Sequence, residues 1–278
     1  MNLLKLKKKI ADKWFSYLQL QICDQFEKLE NSLSKHPVKF KLRNWNKKNT
    51  NEGGGLSYLM KNGKIFEKVG INKSTVSGVF EKRFRHNIPG SHKDGKYWAS
   101  GLSVVAHMQN PKIPALHFNT RFIVTQQNWF GGGMDVTPCI NDIKEKDIFH
   151  KKLKQVCKNN KKNYKKYKVA CDKYFYLPHR NEPRGIGGIF FDYEKKNWEK
   201  NFKFIRDLGF AFMDISKLII LKKIKTKWTK KDKEKQLYKR GRYVEFNLLN
   251  DKGTKFGLNS GGNIESIFMS LPPEAKWK

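Results

Sequence analysis

The sequence predicts an α+β fold built on a mostly antiparallel sheet. Three observations lead there. Hairpin signals cluster early and helical periodicity comes later, without the strict strand–helix alternation of a parallel sheet. No linker in the 278 residues is long enough to mark a boundary, so a single domain over 1–278 is expected. Hydrophobic residues make up 38% and aromatics 13%, too apolar for a disordered chain, and no internal repeat is visible.

The elements follow in order. Ile10, Trp14, Leu18, Ile22, Phe26 and Leu29 recur in steps of four and three, which predicts an amphipathic helix over Leu3–Leu29. Val38, Phe40 and Leu42 alternate with basic residues and predict a strand. Gly53-Gly54-Gly55 reads as a break. Leu56–Met60 and Lys64–Val69 flank Asn62-Gly63, a hairpin turn. Residues 81–96 are polar and read as a loop. Ala99–Met108 and Leu116–Val124 are strands, joined by an extended connection that Pro111 and Pro114 keep out of helix. An antiparallel pair is the simplest reading. Trp129–Val136 carries Gly131-Gly132-Gly133. Helices are predicted over Asn141–Cys157 and Tyr164–Tyr176, a buried strand over Gly185–Phe191, and a long helix from Trp198 to about Thr229. Arg242–Leu249 and Phe256–Leu258 read as the last strands, and Ile264–Met269 is ambiguous.

Composition excludes several classes. No run approaches the roughly 20 apolar residues of a membrane span. Met1–Lys9 is basic and lacks the features of a secretory signal, and Cys23, Cys139, Cys157 and Cys171 form no Cys-x-x-Cys pair; a reducing cytoplasm is expected. Lys and Arg total 58 against 25 Asp and Glu, a net charge of +33, which raises nucleic-acid binding. Only nine of the 58 are arginine, the residue that clamps phosphate and reads guanine, and the lysines are spread over the whole chain. No specific nucleic-acid partner is expected.

The chemistry concentrates in His117-Phe118-Asn119-Thr120-Arg121. On a strand, His117, Asn119 and Arg121 share one face, while Leu116, Phe118, Thr120 and Phe122 share the other. A proton-transfer group, an amide and a permanent cation in register suit a site that holds a carboxylate and moves a proton. Ser103, Val105 and His107 share a face of the preceding strand. If the strands pair, His107 and His117 approach one another, either as a metal pair or as separately hydrogen-bonded rings. Asp135 follows the triple glycine, through which a ligand can approach the backbone. Asp251 precedes Gly253 in what reads as a hairpin turn or a functional carboxylate. His150 and His179 default to satisfied histidines. Gly257, Gly261 and Gly262 surround a loop able to close over a ligand.

Together these motifs resemble the oxygen-dependent coproporphyrinogen III oxidase family. The resemblance runs from about Trp14 to Trp277, through Gly53-Gly54-Gly55, Phe66-Glu67-Lys68-Val69-Gly70, the His117–Arg121 strand, Trp129-Phe130-Gly131-Gly132-Gly133 and Thr137-Pro138. It continues through His179-Arg180-Asn181-Glu182, Arg184-Gly185-Ile186-Gly187-Gly188, Arg240–Leu248 and Ser270-Leu271-Pro272-Pro273.

The resemblance implies a broad, flat, mostly antiparallel sheet with helices on both faces, acting as a homodimer. It implies conversion of two propionates of coproporphyrinogen III into vinyl groups in haem biosynthesis. Molecular oxygen is the co-substrate, and no organic cofactor is needed. It assigns catalysis to His117, Asp135 and Asp251, with either carboxylate facing the pyrrole N–H groups. Substrate binding falls to Ser103, Asn119, Thr120, Arg121, Gly261, Gly262 and Asn263. A divalent metal is implied at His107, His117, His150 and His179. Three departures stand out. Asn263 replaces a usual arginine, so one propionate contact is expected to be weaker or supplied by a lysine. Lys252 replaces another beside Asp251. The usual tail beyond Trp277 is missing, which leaves the dimer geometry open.

Overall fold

In the computed structural model, which describes residues 2–34, 36–259 and 262–277, the chain opens with helix α1 (Leu3–Asn31). Asn2 caps it by accepting the Leu4 N–H at 2.9 Å, and Ala11, Phe15, Leu18, Ile22 and Phe26 form its buried stripe. Strands β1 (Lys41–Asn46), β2 (Gly53–Lys61), β3 (Phe66–Val79), β4 (Lys96–Met108), β5 (Ala115–Val124) and β6 (Asn128–Thr137) follow as an antiparallel meander. A short helix, α2 (Lys82–Arg85), lies in the β3–β4 connection. Helices α3 (Ile143–Asn159) and α4 (Tyr164–Tyr174) and a small β7–β8 pair (Tyr176–Leu177, Glu182–Pro183) precede β9 (Gly188–Glu194). Strand β9 returns beside β6, giving the order β1-β2-β3-β4-β5-β6-β9. Helices α5 (Trp198–Lys223), α6 (Lys230–Leu249), α7 (Lys252–Asn259) and α8 (Ile264–Ile267) complete the chain.

The Asn62-Gly63 turn forms as its sequence predicts, with Asn62 at φ +59°. The buried carboxylate of Glu30, at the end of α1, accepts the N–H groups of Ile65 and Phe66 at 3.0 Å each and pins the turn to the helix.

The two faces of the sheet are covered differently. Helices α1 and α5 lie on one: Phe118 stacks on Phe212 at 4.8 Å, Phe26 on Phe66 at 4.8 Å and Phe122 on Phe130 at 4.6 Å. Over the other pass α6, α7 and α8. Phe256 of α7 meets Tyr97 edge-on at 6.1 Å, Met269 sits against Gly70, and the Ser266 and Ser57 hydroxyls lie 2.9 Å apart. At the β9 edge α4 touches both faces, with Tyr167 on Phe191 at 5.3 Å and Tyr174 stacked on Phe190 at 4.4 Å.

Several predicted elements are corrected. Gly53–Gly55 open β2 rather than break the chain, and the first strand begins at Lys41, with Val38 and Phe40 packed against the core before it. Arg242–Leu249 is the second half of helix α6, and Phe256–Leu258 belongs to helix α7. The helix from Trp198 ends at Lys223, and Ile264–Met269 is helical.

Candidate active site

The register of the meander assembles the site. His117 stands opposite Val105 on β4 and Asp135 on β6; Asn119 stands opposite Ser103 and Gly133; Arg121 stands opposite Gly101 and Gly131. All point to the face away from α1 and α5, because alternate residues share a side. Around the half-buried His117, Asn119 and Arg121 this face is paved with Gly101, Ser103, Gly131 and Gly133, so little projects from the floor. Gly131 leaves room there for the Arg121–Asp192 pair. A Cβ at that position would run into the Asp192 carboxylate and the Arg121 guanidinium.

A directed hydrogen-bond chain runs along β5. His117 Nδ1–H donates to Asp135 Oδ1 at 2.6 Å. That leaves Nε2 as an acceptor, and Asn119 Nδ2 donates to it at 3.2 Å. Asn119 Oδ1 accepts from Arg121 Nη1 at 3.3 Å. Arg121 Nη2 donates to Asp192 Oδ2 at 2.7 Å, and Trp129 Nε1 donates to Asp192 Oδ1 at 3.2 Å. Each amide and ring atom has a single consistent role, which fixes the imidazole tautomer and its orientation.

Asp135 is the anchor. It is 2% exposed, and its second oxygen accepts from Arg184 Nη2. Arg184 is held among rings, its guanidinium 3.9 Å from the centre of Phe175, 4.6 Å from Tyr243 and 4.8 Å from Phe246. Burial pushes the Asp135 carboxyl upward, but the Arg184 charge and the His117 ring outweigh it and hold the group below its usual range. Asp135 therefore stays ionised behind His117. Both of its oxygens are engaged, one by His117 and the other by Arg184.

Asp251 is not in a hairpin turn. It starts α7, where Oδ2 accepts the Thr254 N–H at 2.7 Å and the Thr254 hydroxyl at 2.8 Å; Oδ1 accepts from Tyr174 O–H at 2.7 Å. Through Tyr174, stacked on Phe190 opposite Gly133, it sits at the rim of the same face. Thr120 lies on the opposite face, 1% exposed, so its side chain does not join the site. Gly261 lies outside the described residues. The Gly262 N–H donates to Gly257 O at 2.9 Å, and Asn263 caps α8 by accepting the Ser266 N–H at 2.9 Å. Asn263 also lines a cavity of about 340 Å³ with Arg43, Lys61 and Lys68. Lys68 donates to Leu271 O at 2.7 Å, and burial lowers its pKa to about 8.

The four histidines do not converge. His107 Nε2 donates to Ser270 O at 2.9 Å, beneath Tyr243. His117 is engaged by Asp135. His150 lies between Ile186 O at 3.0 Å and Tyr164 O–H at 2.7 Å, and His179 pairs with Glu245 at 2.8 Å. Among the described residues no group of three or more His, Cys, Asp or Glu side chains is placed to hold a metal ion. The expected four-histidine metal set does not fit this fold.

Arg184 and Asp192 carry central contacts that the sequence motifs do not assign. Arginine scarcity was the available signal. With only nine among 58 cations, Arg121, Arg180, Arg184, Arg240 and Arg242 all hold carboxylates.

Comparison with known proteins identifies the family. The profile of the coproporphyrinogen III oxidase family matches residues 10–278. The oxygen-dependent coproporphyrinogen-III oxidase of Rickettsia bellii (strain RML369-C) is 50% identical over 279 residues, covering 98% of this chain and 99% of the relative. Its namesake in Rickettsia akari (strain Hartford) is 49% identical over 276 residues, covering 97% and 98%.

Proposed function

We infer, because this chain belongs to the coproporphyrinogen III oxidase family, that it catalyses the oxygen-dependent oxidative decarboxylation of coproporphyrinogen III to protoporphyrinogen IX in haem biosynthesis. The observation that carries this reading is the Asp135–His117–Asn119–Arg121 chain on a floor of glycine and serine. A broad, side-chain-poor floor suits a large flat macrocycle, and the chain ends in a cation for a propionate.

Each propionate side chain loses its carboxylate as carbon dioxide and a hydride equivalent, one proton with two electrons, from the carbon attached to the pyrrole ring, leaving a vinyl group. Oxygen takes that hydride equivalent and one proton from solvent and leaves as hydrogen peroxide. In this scheme Arg121, with Asn119 and Ser103, holds a propionate. Asn263 and its neighbours Lys61 and Lys68 hold another, so lysines stand in for the missing arginine. His117 moves protons through Nε2, with Asp135 fixing its tautomer and stabilising the charged ring, the role a buried carboxylate plays behind a catalytic histidine. Asp251, at the rim, is the carboxylate for the pyrrole N–H groups. Removing a pyrrole proton makes the ring more electron-rich and more reactive toward oxygen.

We also read the enzyme as a cytoplasmic homodimer. The exposed apolar side chains of Leu248, Leu249 and Ile264 support an intersubunit contact near the C-terminus. No helix among the described residues is long and apolar enough to cross a membrane.

The test is direct. Purified protein with coproporphyrinogen III in air is expected to consume oxygen and yield protoporphyrinogen IX, read as protoporphyrin fluorescence after oxidation. Folded protein that forms no product would overturn the assignment.

A further inference from the structure

We propose that the cavity between α6 and the β4–β5–β6 end of the sheet is a binding site for one water molecule, held by His107, Thr137, Gln236 and Arg240. These residues line it together with Met108, Ala115, Cys139, Lys239 and Tyr243. The cavity offers the centre of a water-sized molecule about 10 Å³, room for one. His107 is 1% exposed, Gln236 2%, Thr137 3% and Arg240 4%. Each keeps one buried polar atom without a protein partner: His107 Nδ1, Thr137 Oγ1, Gln236 Oε1 and Arg240 Nη1. Such atoms are costly to bury alone, at about 1–3 kcal/mol each.

The neighbouring bonds fix what each atom offers. A carbonyl only accepts, so His107 Nε2 carries the proton it gives to Ser270 O, and Nδ1 is an acceptor. Gln236 Nε2 donates to Met108 O at 2.8 Å, which leaves Oε1 as an acceptor. Arg240 Nη2 donates to Glu67 at 2.7 Å and to Met108 O at 3.1 Å, which leaves Nη1 as a donor. The Thr137 hydroxyl serves either way.

Two acceptors, one donor and one hydroxyl select the ligand. A divalent cation is repelled by the Arg240 guanidinium. An anion meets two acceptor lone pairs, and molecular oxygen gives those acceptors no proton. Water donates to His107 Nδ1 and Gln236 Oε1 and accepts from Arg240 Nη1 and the Thr137 hydroxyl, so all four atoms are satisfied at once. The water thus ties α6 to β4 and β6, and it holds the helix whose Tyr243 covers both His107 and Arg184. His107 is then a water ligand rather than a metal ligand.

A high-resolution crystal structure of the full-length enzyme, with anomalous data collected after a zinc soak, tests this. The expected result is a non-anomalous water peak within hydrogen-bond distance of all four atoms. An empty cavity, or zinc or chloride within it, would overturn the proposal. Magnetic relaxation dispersion of solvent oxygen-17 gives a second reading, because it counts waters held for long times. Thr137→Val, which keeps the side-chain shape, is expected to lose one such water relative to the parent. An unchanged count in the folded variant would also overturn it.

Discussion

On β5, Phe118 packs against Phe212 of α5 in a continuous apolar core, and the next residue, Asn119, bridges an imidazole and a guanidinium. The two side chains are one residue apart and belong to different kinds of protein interior. The α1–α5 face draws its stability from contact area, which tolerates small rearrangements. The opposite face is organised by directed hydrogen bonds. Substitutions should therefore separate stability from turnover according to the face they touch.

The largest expected effect is Asp135→Asn. It leaves the Arg184 guanidinium buried without its counter-charge and lets His117 turn. Breaking a buried pair costs about 3–5 kcal/mol, and loss of an oriented proton-transfer group costs about 10²–10⁴ in rate. Phe118→Ala should cost a similar 3–5 kcal/mol through its cavity, yet the fraction that stays folded should turn over near the parent rate. Denaturation curves and kcat on both variants test the contrast. A Phe118 variant with kcat reduced as far as Asp135→Asn would abolish the distinction between the faces.

Next come the two groups proposed to meet substrate. Arg121→Lys keeps the charge but loses the planar fork, so KM should rise about ten- to a hundredfold, the worth of one charge-assisted hydrogen bond. Asp251→Asn is a clean substitution in this fold because asparagine also caps a helix. Stability should barely change, and kcat should fall more than affinity. A variant with normal kcat would reduce Asp251 to the cap of α7.

Acid should act more gently, through the roofed face. Burial, with Arg240, Lys68 and Arg184 nearby and only partly opposed by the Ser270 hydrogen bond, pushes the His107 pKa down to about 3. The unfolded chain takes up that proton near 6.5, and the folded chain does so only near 3. Between those values the unfolded state holds more protons, so stability falls as pH falls, by at most about 1.4 kcal/mol per pH unit. Asp135, held below its usual range, adds loss only at lower pH, as it is protonated. His107→Gln should flatten the curve of denaturation midpoint against pH between 6 and 4. An unchanged slope in that variant would assign the acid sensitivity to other groups.

The same contrast explains what the sequence made legible. Strands β4 and β5 and helix α1 bury apolar residues at regular spacing, and their faces were readable. From Arg242 onward the sequence of helix α6 reads as a strand. Its buried positions include Gln236, Leu237, Arg240, Tyr243, Phe246 and Asn247, spaced as a helix should be. Half of them are polar because they pack on the polar face, so hydrophobic periodicity never showed the helix. For the site, the alternation of His117, Asn119 and Arg121 was visible within one strand. Arg184 reaching Asp135 across 49 positions, and Asp192 reaching Arg121 across 71, were not, because pairings made by tertiary packing leave no local spacing.

The smallest expected effect comes from two hydroxyls on neighbouring strands that look alike in sequence. Thr120 faces the α1–α5 core, and its Oγ1 has no protein partner. Ser103 is half-buried on the other face, opposite Asn119. Thr120→Val removes a buried hydroxyl and keeps the shape, so it should raise stability by about 1 kcal/mol and leave KM unchanged. Ser103→Val should do the reverse, because a branched apolar group raises the floor beside Asn119 where the substrate is expected to lie. It should leave stability nearly unchanged and raise KM severalfold. Melting curves and steady-state kinetics on the pair decide it. If Thr120→Val raised KM and Ser103→Val did not, the binding surface would have to lie on the face that α1 and α5 cover, and the assignment of function to the β5 hydrogen-bond chain would fall with it.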